Sequence, residues 1–172
     1  MNELDPITAA LAAHHELVQG LQDLRPEIER FAAKVSDAIA RGGRVLWIGN
    51  GGSAADCQHL AAELVGRFER ERSGLPAIAL TTDTAVLTSV ANDYGFESIF
   101  ARQVEALGRP GDVLIGLSTS GKSPNVLRAM ARAGELGLYR VGLTGADGGE
   151  LRHCCELWLG VPSCRTARIQ EA

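Results

Sequence analysis

Five short, almost wholly apolar runs are the feature that most restricts how this chain can fold. They lie at residues 44–48, 76–80, 112–117, 139–143 and 156–161. Helical patterns separate them at roughly 53–66, 84–107 and 123–136, and the second pattern is interrupted near Asp93. Strands buried on both faces and alternating with helices are typical of a parallel sheet covered on both sides. The sequence therefore predicts an α/β fold with a doubly wound, five-stranded parallel sheet.

The first 41 residues carry a helical pattern of their own. Residues 6–41 are consistent with two helices, because Pro26 suits the first turn of a second helix and Gly42 ends the apolar periodicity. We predict an N-terminal helical hairpin over 1–41 and an α/β core over 42–172. No linker or repeat divides them, so the prediction is a single domain over 1–172. An exposed apolar hairpin of this kind often packs on a partner subunit.

Composition excludes several classes of protein. The 17 basic and 21 acidic residues give a formal net charge of −4, and no Lys/Arg block forms a nucleic-acid surface. No apolar stretch is long enough to span a bilayer, and the N-terminus lacks the pattern of a signal peptide. We expect a cytoplasmic protein with no direct nucleic-acid or membrane partner. The four cysteines form no Cys-x-x-Cys pair and are expected to be reduced, packing residues.

The loop after the first predicted strand, residues 49–56, is rich in glycine. Ligands of parallel sheets bind at the carboxyl ends of the strands, so this loop is a candidate site. Glycines let the backbone approach a ligand, Ser53 is suited to cap the next helix, and free amides at a helix start attract anions. The spacing is neither Gly-x-Gly-x-x-Gly nor a P-loop. A plain tight turn is the alternative.

The loop after the third predicted strand carries four hydroxyl side chains, those of Ser118, Thr119, Ser120 and Ser123. Ser123 suits an N-cap and Pro124 the first helical position. A cap needs one hydroxyl, and the surplus fits several hydrogen bonds to a phosphate group. A purely structural cap is the alternative, and Lys122 either adds charge or points to solvent. Two such loops in one sheet favour a phosphosugar ligand.

Candidate catalytic side chains follow the first loop. His59 and Glu63 are four residues apart and share one helix face. Glu63 could act as a general base beside a carbonyl, the two could bind a metal, or they could form an ordinary surface pair. Asn92 and Asp93 either form a turn or hold sugar hydroxyls. Gln170 falls within residues 165–171, which are consistent with the start of a final helix, and composition gives it no special role.

Seven segments taken together resemble the sugar isomerase (SIS) family. They are G-N-G-G-S-A-A-D at 49–56, Q-H-L-A-A-E-L at 58–64, L-P-A-I-A-L-T-T-D at 75–83, A-N-D-Y-G at 91–95, G-D-V-L-I-G-L-S-T-S-G-K-S at 111–123, L-T-G-A-D-G-G-E at 143–150 and A-R-I-Q-E at 167–171. Each segment alone is a weak signal, whereas their occurrence in this order is specific. The resemblance extends from about residue 40 to the end, and it is strongest to members that act on seven-carbon ketose phosphates.

The resemblance implies a flavodoxin-like SIS domain and a cytoplasmic homotetramer with its sites between subunits. The implied reaction is aldose–ketose isomerisation of sedoheptulose 7-phosphate to D-glycero-D-manno-heptose 7-phosphate through an enediol. This reaction is an early step towards lipopolysaccharide or other surface heptose.

The resemblance also assigns roles to individual residues. It implies that substrate is bound by Asn50, Gly51, Gly52, Ser53, Glu63, Asn92, Asp93, Ser118, Thr119, Ser120, Ser123 and Gln170. His59, Glu63 and Gln170 would bind one zinc ion per subunit, and Glu63 would also be the base. Family members continue in a helix that supplies an acid and metal-ligand histidine about two turns beyond the position of Gln170. His14, His15 and His153 do not match that position, so we expect a truncated final helix and an incomplete catalytic site.

Two other functions remain open. One relative within the family is a non-enzymatic scaffold that binds the DnaA replication initiator, and it lacks the carboxylate at the position of Glu63. The presence of both His59 and Glu63 favours the enzyme. A phosphosugar-sensing module would bind the same ligand without exchanging its protons.

Overall fold

The computed structural model describes residues 5–172, which begin with a long helical segment. It consists of α1 (Pro6–Gly20), a 3-10 turn (Leu21–Leu24) and α2 (Arg25–Ala40). The Asp5 side chain caps α1 by accepting hydrogen bonds from two amides of its first turn. Both predicted helices are therefore present. They differ from the predicted hairpin in their connection, because the backbone stays in the right-handed helical region through Gly20 and Leu21, so that no loop separates the helices.

The predicted five-stranded parallel sheet is confirmed. Its strands are β1 (Val45–Gly49), β2 (Ala77–Ala79), β3 (Val113–Leu117), β4 (Tyr139–Gly145) and β5 (Leu157–Val161). Their spatial order is β2-β1-β3-β4-β5, and all four pairings are parallel. This is the flavodoxin-like order, whose switch point lies between β1 and β3. Gly49 pairs with Leu117 at that point, so the two candidate loops leave the sheet side by side.

The remaining helices flank this sheet. They are α3 (Gly52–Val65), α4 (Thr84–Tyr94), α5 (Ile99–Leu107), α6 (Pro124–Glu135) and α7 (Thr166–Glu171). Short 3-10 turns lie at Phe96–Ser98 and Leu151–His153. The interruption predicted near Asp93 occurs at Gly95, whose φ of 87° ends α4. Pro124 begins α6, as its missing amide hydrogen suggests.

Two apolar layers cover the two faces of the sheet. On one face, Leu46, Ile48 and Leu114 pack with α5 and α6. On the other, Trp47 and Ile115 pack with α2 and α3. All five residues are buried, which explains why β1 and β3 show no polar alternation in the sequence.

The N-terminal helices leave apolar side chains uncovered. Ile7 is 73% exposed and Leu11 is 66% exposed, whereas Leu17 is buried. Apolar side chains this exposed on one segment are typical of a surface that contacts another protein. No helix among residues 5–172 combines the length and apolarity needed to cross a bilayer.

Candidate active site

The β1–α3 loop turns at Gly51, which precedes the first residue of α3. Its φ of 57° lies in the left-handed region that favours glycine, and it occupies the N-cap position without any side-chain cap. Ser53 was predicted to cap this helix, and that prediction is wrong, because Ser53 lies inside the first turn. Its buried hydroxyl instead donates a hydrogen bond to Gln170 Oε1 at 3.3 Å. The first amides of α3 thus remain free of a side-chain acceptor.

The β3–α6 loop holds its hydroxyl groups in a defined arrangement. Ser123 occupies the predicted N-cap position of α6, but its side chain makes no capping bond. Its Oγ lies 2.9 Å from Oγ of the buried Ser118. Within residues 5–172, the backbone amides of Thr119 and Ser120 find no hydrogen-bond acceptor. A pair of such amides beside two linked hydroxyls is suited to bind phosphate oxygens.

Lys122 does not point toward this arrangement of donors. Its Nζ lies 3.9 Å from an Asp147 carboxylate oxygen, and both side chains are largely exposed. Of the two orientations left open by the sequence, the structure shows the one toward solvent.

A second loop supports the β3–α6 loop from behind. Gly121 has a φ of 64°, and a Cβ atom there would lie 2.0 Å from the Gly148 carbonyl oxygen. The Gly121 carbonyl in turn accepts a hydrogen bond from the Leu151 amide at 3.0 Å. The Gly148–Gly149 pair after β4 therefore permits close backbone packing against the β3–α6 loop.

Asn125 is a site residue that the sequence analysis missed. Its side-chain amide exchanges two hydrogen bonds with Asn50, at 2.9 and 2.8 Å, and so ties the two loops together. Asn125 is 1% exposed, and its Oδ1 also accepts a hydrogen bond from the Val126 amide. Asn50 was predicted as a substrate ligand, and in the structure its amide holds the loops in register. In the sequence, the only indication of this role is a polar asparagine directly after Pro124, at the start of α6.

A cavity of about 450 Å³ lies where these loops meet the final helix. The predicted residues that line it are Ser53, His59, Ser118, Thr119 and Gln170. Asp56 and Thr144 add polar groups, and Leu21, Leu24 and Ile28 from the N-terminal segment cover one side. The structure therefore brings together residues from both loops and from the chain end.

The His59–Glu63 pair lies at the edge of this cavity. His59 Nε2 is 3.9 Å from Glu63 Oε1, and their side chains are 70% and 35% exposed. Glu63 faces a neighbouring cavity of about 580 Å³, which His59, Leu60 and Phe31 also line. The shared helix face predicted from the spacing is present. The carboxylate is partly shielded, whereas the imidazole is open to solvent.

Gln170 reaches α3 from the other end of the sequence. Its Nε2 donates a short hydrogen bond to Asp56, while its Oε1 receives the bond from Ser53. Helix α7 is seated on α1, because Arg168 Nη1 donates to the Ala10 carbonyl at 3.0 Å. Gln170 therefore lies over the first turn of α3, one turn before His59. This contact spans 114 residues and could not be derived from local sequence patterns.

Asn92 and Asp93 are placed differently from the other predicted ligands. Both are exposed in the last turn of α4, where Asn92 Nδ2 donates to Asp93 Oδ1 at 2.8 Å. Neither residue lines the cavity beside the loops. Within the described part of this chain, the structure does not bring them to the other site residues.

A zinc ion takes four nitrogen, oxygen or sulfur ligands in a tetrahedral arrangement. Two ligands of one tetrahedral zinc ion lie about 3.4 Å apart, so the His59–Glu63 pair fits as two ligands after a small adjustment. The Gln170 carbonyl oxygen, the third predicted ligand, is held by Ser53. Over residues 5–172, no three His, Cys, Asp or Glu side chains converge on one point. The spacing of His59 and Glu63 thus fits two ligands of a zinc ion, and no third His, Cys, Asp or Glu joins them within residues 5–172.

Cys57 is excluded as a nucleophile in this region. It follows Asp56 on α3 but points into the core and is fully buried. Burial, and to a smaller extent the neighbouring Asp56 charge, raises the pKa of the Cys57 thiol to about 12. The thiol is therefore protonated and unreactive at neutral pH.

Comparison with known proteins supports these observations. The SIS domain family model matches residues 10–145, and the chain belongs to this family. A phosphoheptose isomerase from Geotalea daltonii is 51% identical over 169 residues, which cover 98% of this chain and 88% of that protein. A phosphoheptose isomerase from a Roseiflexus species is 61% identical over 146 residues, 85% of this chain and 74% of that one.

Solved structures agree with this relationship. The structure of a phosphoheptose isomerase from Francisella tularensis superposes with a TM-score of 0.94 at 40% identity, covering 99% of this chain and 92% of that chain. The corresponding enzyme from Neisseria gonorrhoeae gives a TM-score of 0.90 at 44% identity, covering 96% of this chain and 89% of that chain.

Proposed function

We propose that this protein is a phosphoheptose isomerase that converts sedoheptulose 7-phosphate to D-glycero-D-manno-heptose 7-phosphate. The observation that carries the proposal is the meeting of the two switch-point loops with His59 of α3 around one cavity, with Glu63 beside His59 and facing the adjoining cavity. Relatives that are more than 50% identical over almost the whole chain are named for this activity.

The β3–α6 loop is suited to hold the substrate phosphate. The free amides of Thr119 and Ser120 and the linked hydroxyls of Ser118 and Ser123 can donate to phosphate oxygens. Fixing the phosphate there places the rest of the sugar along the cavity toward α3. The ketose carbonyl then comes within reach of groups on the α3 face.

Glu63 is the candidate base for the proton transfer. Its carboxylate removes a proton from C1 of the ketose, and the electron pair of that bond forms the enediol double bond. The proton then returns from Glu63 to C2, while the hydroxyl proton on O1 moves to O2, which leaves an aldehyde at C1. No other reactant is consumed. The carboxylate is partly shielded from solvent and yet accessible to a ligand, which suits a group that must reach a substrate carbon.

Zinc binding belongs to the same proposal. His59 and Glu63 would be two of the ligands, with Gln170 as a third once its carbonyl leaves Ser53. Bound zinc supplies Lewis acidity that polarises the carbonyl oxygen of the substrate.

We also propose that the protein works as a cytoplasmic homotetramer in the supply of surface heptose. The exposed Ile7 and Leu11 side chains on α1 support association between copies. Asn92 and Asp93 contact substrate only if assembly brings them to a site on another subunit.

The experiment follows sedoheptulose 7-phosphate by NMR in heavy water, with and without added zinc. An isomerase forms the aldose and places deuterium at its C2, and the Glu63→Gln variant purified in parallel controls for contaminating host isomerase. Turnover in the wild-type protein alone supports the proposal.

Other outcomes favour the alternative functions. Phosphosugar binding without deuterium exchange in a folded protein would identify a sensor. No binding of the phosphosugar together with binding of the DnaA initiator would identify a scaffold.

A further inference from the structure

The segment that follows α3 returns sharply against the helix from which it came. Phe68 adopts a φ of 52°, a left-handed conformation that is costly for a phenylalanine. The Leu75 amide then donates to the Leu64 carbonyl at 2.9 Å, which brings the chain back to the end of α3. A strained residue in an exposed loop persists only where other contacts hold the loop in place.

Arg72 makes those contacts. Its Nη2 donates to the Glu63 carbonyl at 2.9 Å, and its Nη1 lies 2.8 Å from the Leu64 carbonyl oxygen. Nη1 also lies 3.2 Å from the Gly66 carbonyl and 2.9 Å from that of Ser73, so its two hydrogens are shared among three acceptors. One guanidinium thus joins the last turn of α3 to the returning chain.

A guanidinium bound to the last carbonyls is favourable at the C-terminal end of any helix. The last carbonyls of a helix lack partners and carry partial negative charge, so a cation there is favourable. A planar guanidinium presents five donors in a fixed fork and can span several carbonyls, whereas the ammonium of lysine is a compact charge with three donors. What is specific here is that one of the bound carbonyls belongs to Glu63 itself.

We propose that Arg72 is a positioning residue that fixes the backbone of Glu63 and so aims its carboxylate. The proposal rests on the proposed function, in which Glu63 is the base. Proton transfer is sensitive to displacements of about 1 Å. The phosphate loop lies between β3 and α6, and the hydrogen bonds of Arg72 do not extend to it, so phosphate binding should not change. Loss of Arg72 should therefore lower kcat and leave KM nearly unchanged.

The test compares Arg72→Gln and Arg72→Lys with Arg44→Lys. Arg44 is a matched control because its Nη2 also binds a helix-terminal carbonyl, that of Leu107 at 2.6 Å. Its other side-chain partner is the buried Asp112, so neither of its partners belongs to α3. We measure kcat, KM and Tm for each protein, together with amide hydrogen exchange over the last turn of α3.

We expect Arg72→Gln to lower kcat by about tenfold or more while KM stays within about threefold of wild type. Amide hydrogen exchange should rise at the end of α3. Arg72→Lys should give values between those of Arg72→Gln and wild type. Arg44→Lys should lower Tm without lowering kcat. If Arg72→Gln fails to fold, Arg72→Lys alone decides the outcome.

Wild-type kcat in a folded Arg72 variant overturns the proposal, as does an equal loss of kcat in Arg44→Lys. An inactive wild-type protein would instead refute the proposed function, and the exchange data would then still show whether Arg72 holds the end of α3.

Discussion

The two halves of the candidate site are held in place by different means. The β3–α6 loop is fixed by its own neighbours, through the Ser118–Ser123 contact and the packing of Gly121 on Gly148. The α3 half presents His59 and Glu63, whose side chains lie 3.9 Å apart; the imidazole is open to solvent and the carboxylate is partly shielded. Its further support comes from Gln170, at the other end of the chain.

This difference indicates how the two tasks are divided. Phosphate binding needs donors that are already in place, so that ordering them costs nothing when the ligand arrives. Proton transfer needs a carboxylate aimed at a carbon atom, and the backbone that carries this carboxylate is held by Arg72, nine residues away. Variants in one half should therefore change affinity, and variants in the other should change turnover.

The largest expected effect is that of Glu63→Gln on turnover. Removing a general base lowers kcat by about 10²- to 10⁴-fold, whereas the affinity for the phosphosugar should stay nearly constant. Calorimetric titration with substrate measures the affinity, and the NMR assay measures turnover. Retained turnover would show that Glu63 is not the base, and lost binding would show that the two halves are not separable.

Gly121→Ala should disrupt the phosphate half. The new methyl group would lie 2.0 Å from the Gly148 carbonyl oxygen, and the φ of 64° is unfavourable for alanine. We expect a loss of about 1–3 kcal/mol in the free energy of unfolding and a weaker affinity for phosphosugar. Urea denaturation and calorimetry measure the two effects.

Gly42→Ala is the control for this change. Gly42 also has a positive φ, 84°, but a Cβ atom there would meet nothing within 4 Å. Gly42→Ala should therefore lower the free energy of unfolding only through the unfavourable backbone conformation, and the affinity for phosphosugar should be retained. Equal loss of affinity in both variants would contradict the role of the Gly121–Gly148 packing.

Ser120→Ala should affect affinity alone. Its Oγ accepts a hydrogen bond from the Lys122 amide at 3.2 Å and is exposed, so little stability depends on it. Loss of one hydrogen bond to a charged phosphate costs about 1.5–3 kcal/mol, or roughly 10- to 100-fold in Kd. The measurement is calorimetry with inorganic phosphate and with the phosphosugar. Unchanged Kd for both would argue against this loop as the phosphate site.

The fold could be predicted because its signals are local. Buried parallel strands are apolar throughout. Gly95 marks the end of α4, and Pro124 marks the beginning of α6. The connection between α1 and α2 was missed because a glycine in the right-handed helical region looks the same in sequence as one in a turn.

The site was predictable only in part. The hydroxyls of the β3–α6 loop stood out because a helix cap needs only one of them. The Asn50–Asn125 pair joins residues 75 positions apart, and no periodicity indicates such a partner. The role of Ser53 was misjudged for the same reason, since its hydroxyl binds Gln170, 117 residues away, instead of the nearest amides.

The smallest expected effect concerns a region that belongs to neither half. At the amino ends of β4 and β5, Glu156 Oε2 accepts a hydrogen bond from the Arg140 amide at 2.7 Å, and the two side chains form an ion pair. Burial alone would raise the pKa of Glu156, but its hydrogen bonds with Arg140 outweigh that effect and hold the pKa below the ordinary value of 4.5.

A carboxylate with a lowered pKa in the folded state stabilises the protein above its unfolded pKa and loses that contribution as the pH falls through the folded value. Glu156→Gln should therefore lower stability at pH 7 by about 1 kcal/mol or less, since the pair is partly exposed. The difference from wild type should shrink below about pH 4.5. Urea denaturation at several pH values measures it. A difference independent of pH would show that the pair contributes by packing, and any change in kcat or Kd would show that the site extends to this edge of the sheet.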